Sequence, residues 1–136
     1  MIPGGVNPKP QIPKPANFAA FMNDLQFTAA WQKVEALLEA RFGKKPDLQA
    51  ILYLIGVNEF GKPAPRGKFT KEQKQDLMHI AVCTLLSQRG YFRLSHHDEE
   101  GWPHFEVLKP MPAPGLLAQE RLLQECVIAY FGVSQP

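Results

Sequence analysis

From residue 18 onward, apolar positions recur at intervals of three and four. Phe18, Phe21, Met22 and Leu25 form the first such set; Trp31, Val34 and Leu38 form the second, with Leu37 widening the stripe. This spacing puts one face of a helix against a core. Asn17 and Thr28 are both usable N-caps, so the stretch reads as one kinked helix or as a short helix followed by a longer one, ended by Gly43. A second helix is expected from Asp47, just after Pro46, to about Gly61. Residues 50–57 within it are a continuous apolar block whose periodicity fits a buried strand as well as a buried helix; the Asp47 cap and the segment length favour helix. A third helix opens at Thr70, where Gln73 completes a capping box, and closes at Gly90. Its apolar positions, from Leu77 through Leu86, run round most of the circumference. That predicts a central helix over about residues 70–89, surrounded by protein.

Between Tyr91 and Lys109 the period changes to two, the signature of a β-hairpin, with Asp98-Glu99-Glu100-Gly101 as its turn. Pairing 91 with 108, 93 with 106, 95 with 104 and 97 with 102 puts Phe92, Leu94, Phe105 and Val107 on one face. Arg93 then opposes Glu106, and Ser95 opposes His104, on the other. The apolar face is expected to pack on the helices. Pro110, Pro112, Pro114 and Gly115 lead into a last helix from about Leu116 to Phe131. Its expected buried stripe is Leu116, Leu123, Val127, Tyr130 and Phe131, with Glu120, Arg121 and Glu125 at polar positions. The predicted fold is mainly α within the α+β class: four or five helices around the central one, plus one antiparallel hairpin. The order of elements allows a winged-helix-like topology.

The first fifteen residues contain Pro3, Pro8, Pro10, Pro13 and Pro15, which exclude helix and central strand and predict an extended, polyproline-like arm over residues 1–16. Residues 17–136 then form a single domain. Pro10 and Pro13, with Lys14 alongside, make a PxxP pattern of the kind that docks in aromatic grooves, although such short patterns are common in Pro-rich sequence. A chain of 136 residues with 45% apolar and 21% charged positions can bury a real core. Its net charge of +2 is too small to demand a nucleic-acid or membrane partner. There is no twenty-residue apolar run, signal peptide, P-loop or glycine-rich dinucleotide turn. Cys83 and Cys126 each sit inside an apolar run, as buried thiols of a reducing compartment do, so a cytoplasmic setting is expected. Two strongly apolar helices in so short a chain predict a homodimer.

Four groups of residues are candidates for chemistry. Lys62, Arg66, Lys68, Lys71 and Lys74 form a basic loop, and the first 74 residues carry net +5 against −3 for the rest. Lys71 falls in the first turn of a helix, where a cation opposes the macrodipole and a bound phosphate or carboxylate would relieve the conflict. The plain alternative is a solvated loop. A DNA-reading role is opposed by the long link between the second and third helices, by the expected burial of the third, and by the acidic hairpin tip. The second group is His97, His104 and Asp98 at the hairpin end, residue types that suit a transition metal but lack a supporting shell; His96, being adjacent to His97, points to the other face. The third is Asp76, His79 and Cys83 on one helical face, the residue types of a thiol–imidazole pair with no sign of a cleft or oxyanion hole. The fourth is Trp102 with Pro103, either a docking surface or a pair folded back on the helices.

The run from Phe69 to Ala81, continuing through Gly90-Tyr91-Phe92 and Asp98 to His104, resembles a family of small, uncharacterised bacterial proteins over about residues 47–131. That resemblance implies a bacterial cytoplasmic setting and one compact domain, and brings no activity, cofactor or catalytic residue. The residues therefore favour a non-enzymatic interaction or scaffold protein without a cofactor, using Pro10, Pro13, Trp102 and Pro103 as contacts. Binding of nucleic acid or a phosphorylated ligand through the basic loop is the alternative, and a metal-dependent or thiol enzyme comes third.

Overall fold

The computed structural model describes residues 24–111 and 115–132. The expected arm over residues 1–16, with Pro10 and Pro13, lies outside them, as do Asn17, Phe18, Phe21 and Met22. The described chain forms α1 (Asp24–Phe42), α2 (Leu48–Phe60), α3 (Lys71–Ser87), β1 (Phe92–His97), β2 (Pro103–Val107) and α4 (Leu116–Phe131). This is the mainly helical α+β arrangement read from the sequence, with four helices and one antiparallel hairpin among the described residues. None of the described helices is long and apolar enough to cross a membrane.

The helix boundaries follow from local chemistry. The Asp47 side chain accepts the Ala50 N–H at 2.8 Å and starts α2, so residues 50–57 are helix. In α3, Thr70 Oγ1 accepts the Gln73 N–H at 3.0 Å while Gln73 Oε1 accepts the Thr70 N–H at 2.9 Å, a reciprocal cap at its N-terminus. Helix α1 runs unbroken through Thr28, which is therefore not a cap. Val34 and Leu38 are buried, but Leu25 (83% exposed) and Leu37 (39%) fall outside the stripe assigned to them.

Helix α3 is the spine that two apolar clusters share. Ala81, Leu85 and Leu86 pack with Ala30, Val34 and Leu38 of α1, Ile51, Leu52 and Ile55 of α2, and Cys126, Val127 and Ile128 of α4. Leu77 and Ile80 join a second cluster with Phe60, Phe69, Trp102 and Phe105. Leu77, Leu85 and Leu86 are fully buried, each contributing roughly 1.5–3 kcal/mol from apolar burial. α2 comes so close to α3 that a methyl group on Gly56 would lie 2.0 Å from the Leu77 carbonyl oxygen. With its inner turns covered in this way, α3 exposes only its first turns and His79.

α4 departs from expectation at Glu125 and along its stripe, where Val127 is buried but Leu123, Tyr130 and Phe131 are only partly so. Glu125 is buried (5% exposed), held by Arg121 Nε at 3.1 Å and Arg89 at 3.7 Å. The two guanidinium groups supply the countercharge that lets a carboxylate enter the core. Tyr130 is only partly buried; its hydroxyl donates to Glu59 Oε2 and accepts from Asn58 Nδ2, both at 2.6 Å, which fastens α4 to the end of α2.

The hairpin follows the expected register from Phe92↔Val107 through Leu94↔Phe105 and then shifts. Asp98 causes the shift. Its Oδ1 accepts the N–H groups of Glu100 and Trp102, and its own N–H donates to the Trp102 carbonyl, so the tip closes between residues 98 and 102. One extra residue, Ser95, is accommodated as a bulge, and His96 replaces it opposite His104 while His97 opposes Pro103. The apolar face is also only half covered. Phe92 and Phe105, on one diagonal, reach the two clusters. Leu94 (46% exposed) and Val107 (68%) project past α3.

Candidate functional site

A groove of about 430 Å³ separates the first half of α3 from the hairpin tip. Gln73, Asp76 and His79 line it from α3, and Asp98, Glu100 and His104 from the hairpin, with Ile80, Trp102 and Pro103 as its apolar lining. The capping box fixes the α3 side, because Gln73 is held at the helix start and sets the angular positions of Asp76 and His79. The Asp98 carboxylate fixes the hairpin side. Besides its two backbone bonds, its Oδ2 lies 2.9 Å from His104 Nε2. These contacts, His104 first and the Trp102 N–H next, hold the Asp98 carboxyl below the usual carboxylate range. The His104 ring is stacked at 4.8 Å on His96, nearly parallel to it, so it is oriented from two directions.

Trp102 takes the second of its two expected positions. It is half-buried, stacked on Phe60 at 4.3 Å and edge-on to Phe69 at 6.4 Å, and Pro103 beside it is buried. Neither is a freely projecting contact; Trp102 instead presents part of its surface as a rigid wall of the groove. Phe69, itself edge-on to Phe60 and Tyr53, anchors the loop before α3 against the same aromatic group.

The five basic residues are all exposed, and none lines the groove. Lys62 reaches across to the hairpin tip and donates to the Glu100 carbonyl at 3.2 Å. It passes so close to Gly101 (φ +93°) that a side chain there would meet both a strained backbone and the lysine ammonium group. Lys71 and Lys74 lie on the exposed first turns of α3, whose leading N–H groups are already partly satisfied by the capping box.

The metal candidates separate. The bulge leaves His97 opposite Pro103 while His104 pairs with His96 and Asp98, so His97 and His104 do not converge. Among the described residues, no group of three His, Cys, Asp or Glu side chains is arranged to hold a metal ion. Of the helical trio, Cys83 and His79 stay within hydrogen-bond distance of each other. Cys83 Sγ lies 3.6 Å from His79 Nε2, but burial pushes the thiol up to about 11, so it is a neutral thiol, and it does not line the groove. Asp76 and His79 do face a cleft, contrary to expectation, and they share it with the hairpin residues 98, 100 and 104.

What the sequence did not reveal is this convergence of two candidate groups into one concavity, together with Gln73 and Ile80 as members of it. Protein-family models, curated proteins and solved structures were compared with the chain, and none matches. The functional reading therefore rests on the groove itself.

Proposed function

We propose that this protein is a non-enzymatic interaction module whose contact surface is the groove between α3 and the hairpin tip. The observation that carries the reading is Trp102, an aromatic wall braced by Phe60 and Phe69 in a groove that Asp76 and Glu100 also line. A rigid aromatic surface beside charged groups binds a protein segment at low entropic cost, because the side chain is already ordered before the partner arrives. The free, buried thiols Cys83 and Cys126 fit a reducing compartment such as the cytoplasm. The exposed Leu94 and Val107 support the homodimer, for which light scattering at micromolar concentration should give about twice the 15.3 kDa chain mass, and a clean monomer would contradict it.

A photo-reactive amino acid at Gln75, on the exposed side of α3 next to the groove, tests the reading in cells that make the protein. The expected result is one recurring protein adduct that disappears when Asp76→Lys is added. No adduct above that seen from the remote exposed position Lys33 would overturn the reading.

A further inference from the structure

We propose that two copies of this chain join through the free edge of β2, forming a four-stranded antiparallel sheet with the two β2 strands at its centre. The inference rests on the reading of the protein as a homodimer and names the surface through which the copies meet. The hairpin is a two-stranded sheet in the order β1–β2, so among the described residues each strand has one edge without a neighbouring strand. The ladder tells which backbone groups lie along the edge of β2. The Leu108 N–H donates to the Tyr91 carbonyl, and at the tip the Asp98 N–H donates to the Trp102 carbonyl. Even-numbered residues of β2 therefore turn their N–H and C=O groups towards β1, while Phe105 and Val107 turn theirs away. A row of this kind is a template for another strand unless a bulge or a charge interrupts it. The bulge at Ser95 interrupts β1, whereas β2 runs without one from Pro103 to Val107.

The residues of β2 select one register. A two-fold axis at Phe105 overlaps the whole strand and sets Phe105 opposite Phe105, Pro103 opposite Val107, and His104 opposite Glu106. Each Phe105 N–H then meets the other Phe105 carbonyl, and each Val107 N–H meets a Pro103 carbonyl; the donor that proline lacks is missed only at the strand ends. On the outer face, Glu106 comes between Arg93 of its own copy and His104 of the other, and His104 between Asp98 of its own copy and Glu106 of the other. Opposite charges thus neighbour one another across the junction. Moving the axis one residue either way sets His104 against His104 or Glu106 against Glu106 and loses this complementarity. On the inner face, Val107, 68% exposed at the border of the hairpin, moves to the middle of a sheet, beside Pro103 and Phe105 of the other copy. One five-residue strand per copy is a small contact, so the dissociation constant is expected in the micromolar range.

The test uses the full chain. Val107→Lys changes a side chain that the fold leaves exposed and puts a charge on the edge. By light scattering it should raise the dissociation constant at least tenfold. In the parent, amide exchange at Phe105 and Val107 should slow as protein concentration rises through the dissociation constant. A mixture of the single variants His104→Cys and Glu106→Cys should form a disulfide-linked dimer faster than either variant alone, because the paired residues lie roughly 4.5 Å apart at Cα; Cys83 and Cys126 are buried. A monomeric parent overturns the homodimer reading and this proposal together. A dimer that Val107→Lys leaves intact, with both amides indifferent to concentration, overturns the proposal alone, the copies then meeting elsewhere. A dimer whose mixed cysteine variants link no faster than each alone overturns the register.

Discussion

Gly56→Ala tests the packing of the spine by the sign of its effect. In an isolated helix the substitution is favourable by about 1 kcal/mol, since alanine is the better helix former. Here the new methyl group would lie 2.0 Å from the Leu77 carbonyl oxygen, 2.6 Å from its carbon and 2.9 Å from Leu77 Cβ. The first two of these are backbone atoms, so no rotamer change relieves the clash, and α2 must move away from α3 by more than an ångström to reach ordinary contact. Overpacking costs about 1–3 kcal/mol, and a gap of 0.5–1 Å elsewhere along the interface forfeits roughly a quarter to a half of each dispersion contact there. With the overpacking cost at the top of its range because the clash is with backbone, and the propensity gain set against it, a net loss of about 2 kcal/mol is expected. At roughly 4 °C per kcal/mol for a domain of this size, Tm should fall by about 8 °C. Urea unfolding followed by far-ultraviolet circular dichroism measures the free energy directly. A variant as stable as the parent, or more stable, would mean that α2 does not ride on the α3 backbone and that the close approach is not there.

Three further outcomes follow from individual contacts. Glu125→Ala should destabilise the fold by about 2 kcal/mol in the same urea assay, the usual cost of breaking a buried ion pair being discounted because Arg89 and Arg121 are 29% and 33% exposed; an unchanged midpoint would show that the carboxylate is not carrying the α3–α4 contact. Tyr130, pushed up to about 12 by burial and by its bond to Glu59, should ionise well above the ordinary tyrosine value near 10 in an alkaline absorbance titration compared with that of Tyr130→Phe; its neutral form contributes stability below that ordinary value that is lost as pH rises through about 12, and Tyr130→Phe should cost roughly 1 kcal/mol at neutral pH. Asp98, held below the ordinary value by His104 and the Trp102 N–H, keeps the hairpin tip closed above the usual carboxylate range and releases it as pH falls through its lowered value; the Glu100 and Trp102 amide resonances should follow that midpoint, and a midpoint at or above an ordinary aspartate's would contradict the bonding at the tip.

The parts of the fold that were legible in the sequence are those written in local chemistry. Asp47 and the Thr70–Gln73 pair are caps whose partners lie three residues away, so the starts of α2 and α3 could be read without knowing the rest of the chain. The apolar circumference of α3 likewise reports its burial directly. The bulge at Ser95 could not be read, because it is set by the Asp98 side chain capturing two N–H groups rather than by the alternation of side chains. Glu125 looked like a solvent position since Arg89, one of the cations that justify its burial, comes from the turn after α3, 36 residues earlier. The exposed Leu94 and Val107 belong to a face whose alternation is correct but which is wider than the helix it meets. The groove was within reach of length arithmetic. A 17-residue helix is roughly 25 Å long and a six-residue strand roughly 20 Å, so a hairpin folding back from the end of α3 brings its tip beside the first turns of that helix. That juxtaposition unites Asp76 and His79 with Asp98 and His104, which the sequence presents as separate groups.

Native-state hydrogen exchange across residues 77–86 bears most directly on the placement of α3, on which both the groove and the two clusters depend. If this helix is the covered spine, the amides of Leu77, Ala81, Leu85 and Leu86 exchange only through global unfolding, with free energies equal to that from urea and falling in parallel as denaturant is added. Exchange of these amides through a smaller, local opening while α2 and α4 stay protected would show α3 to be an outlying helix, and the arrangement described here would be wrong.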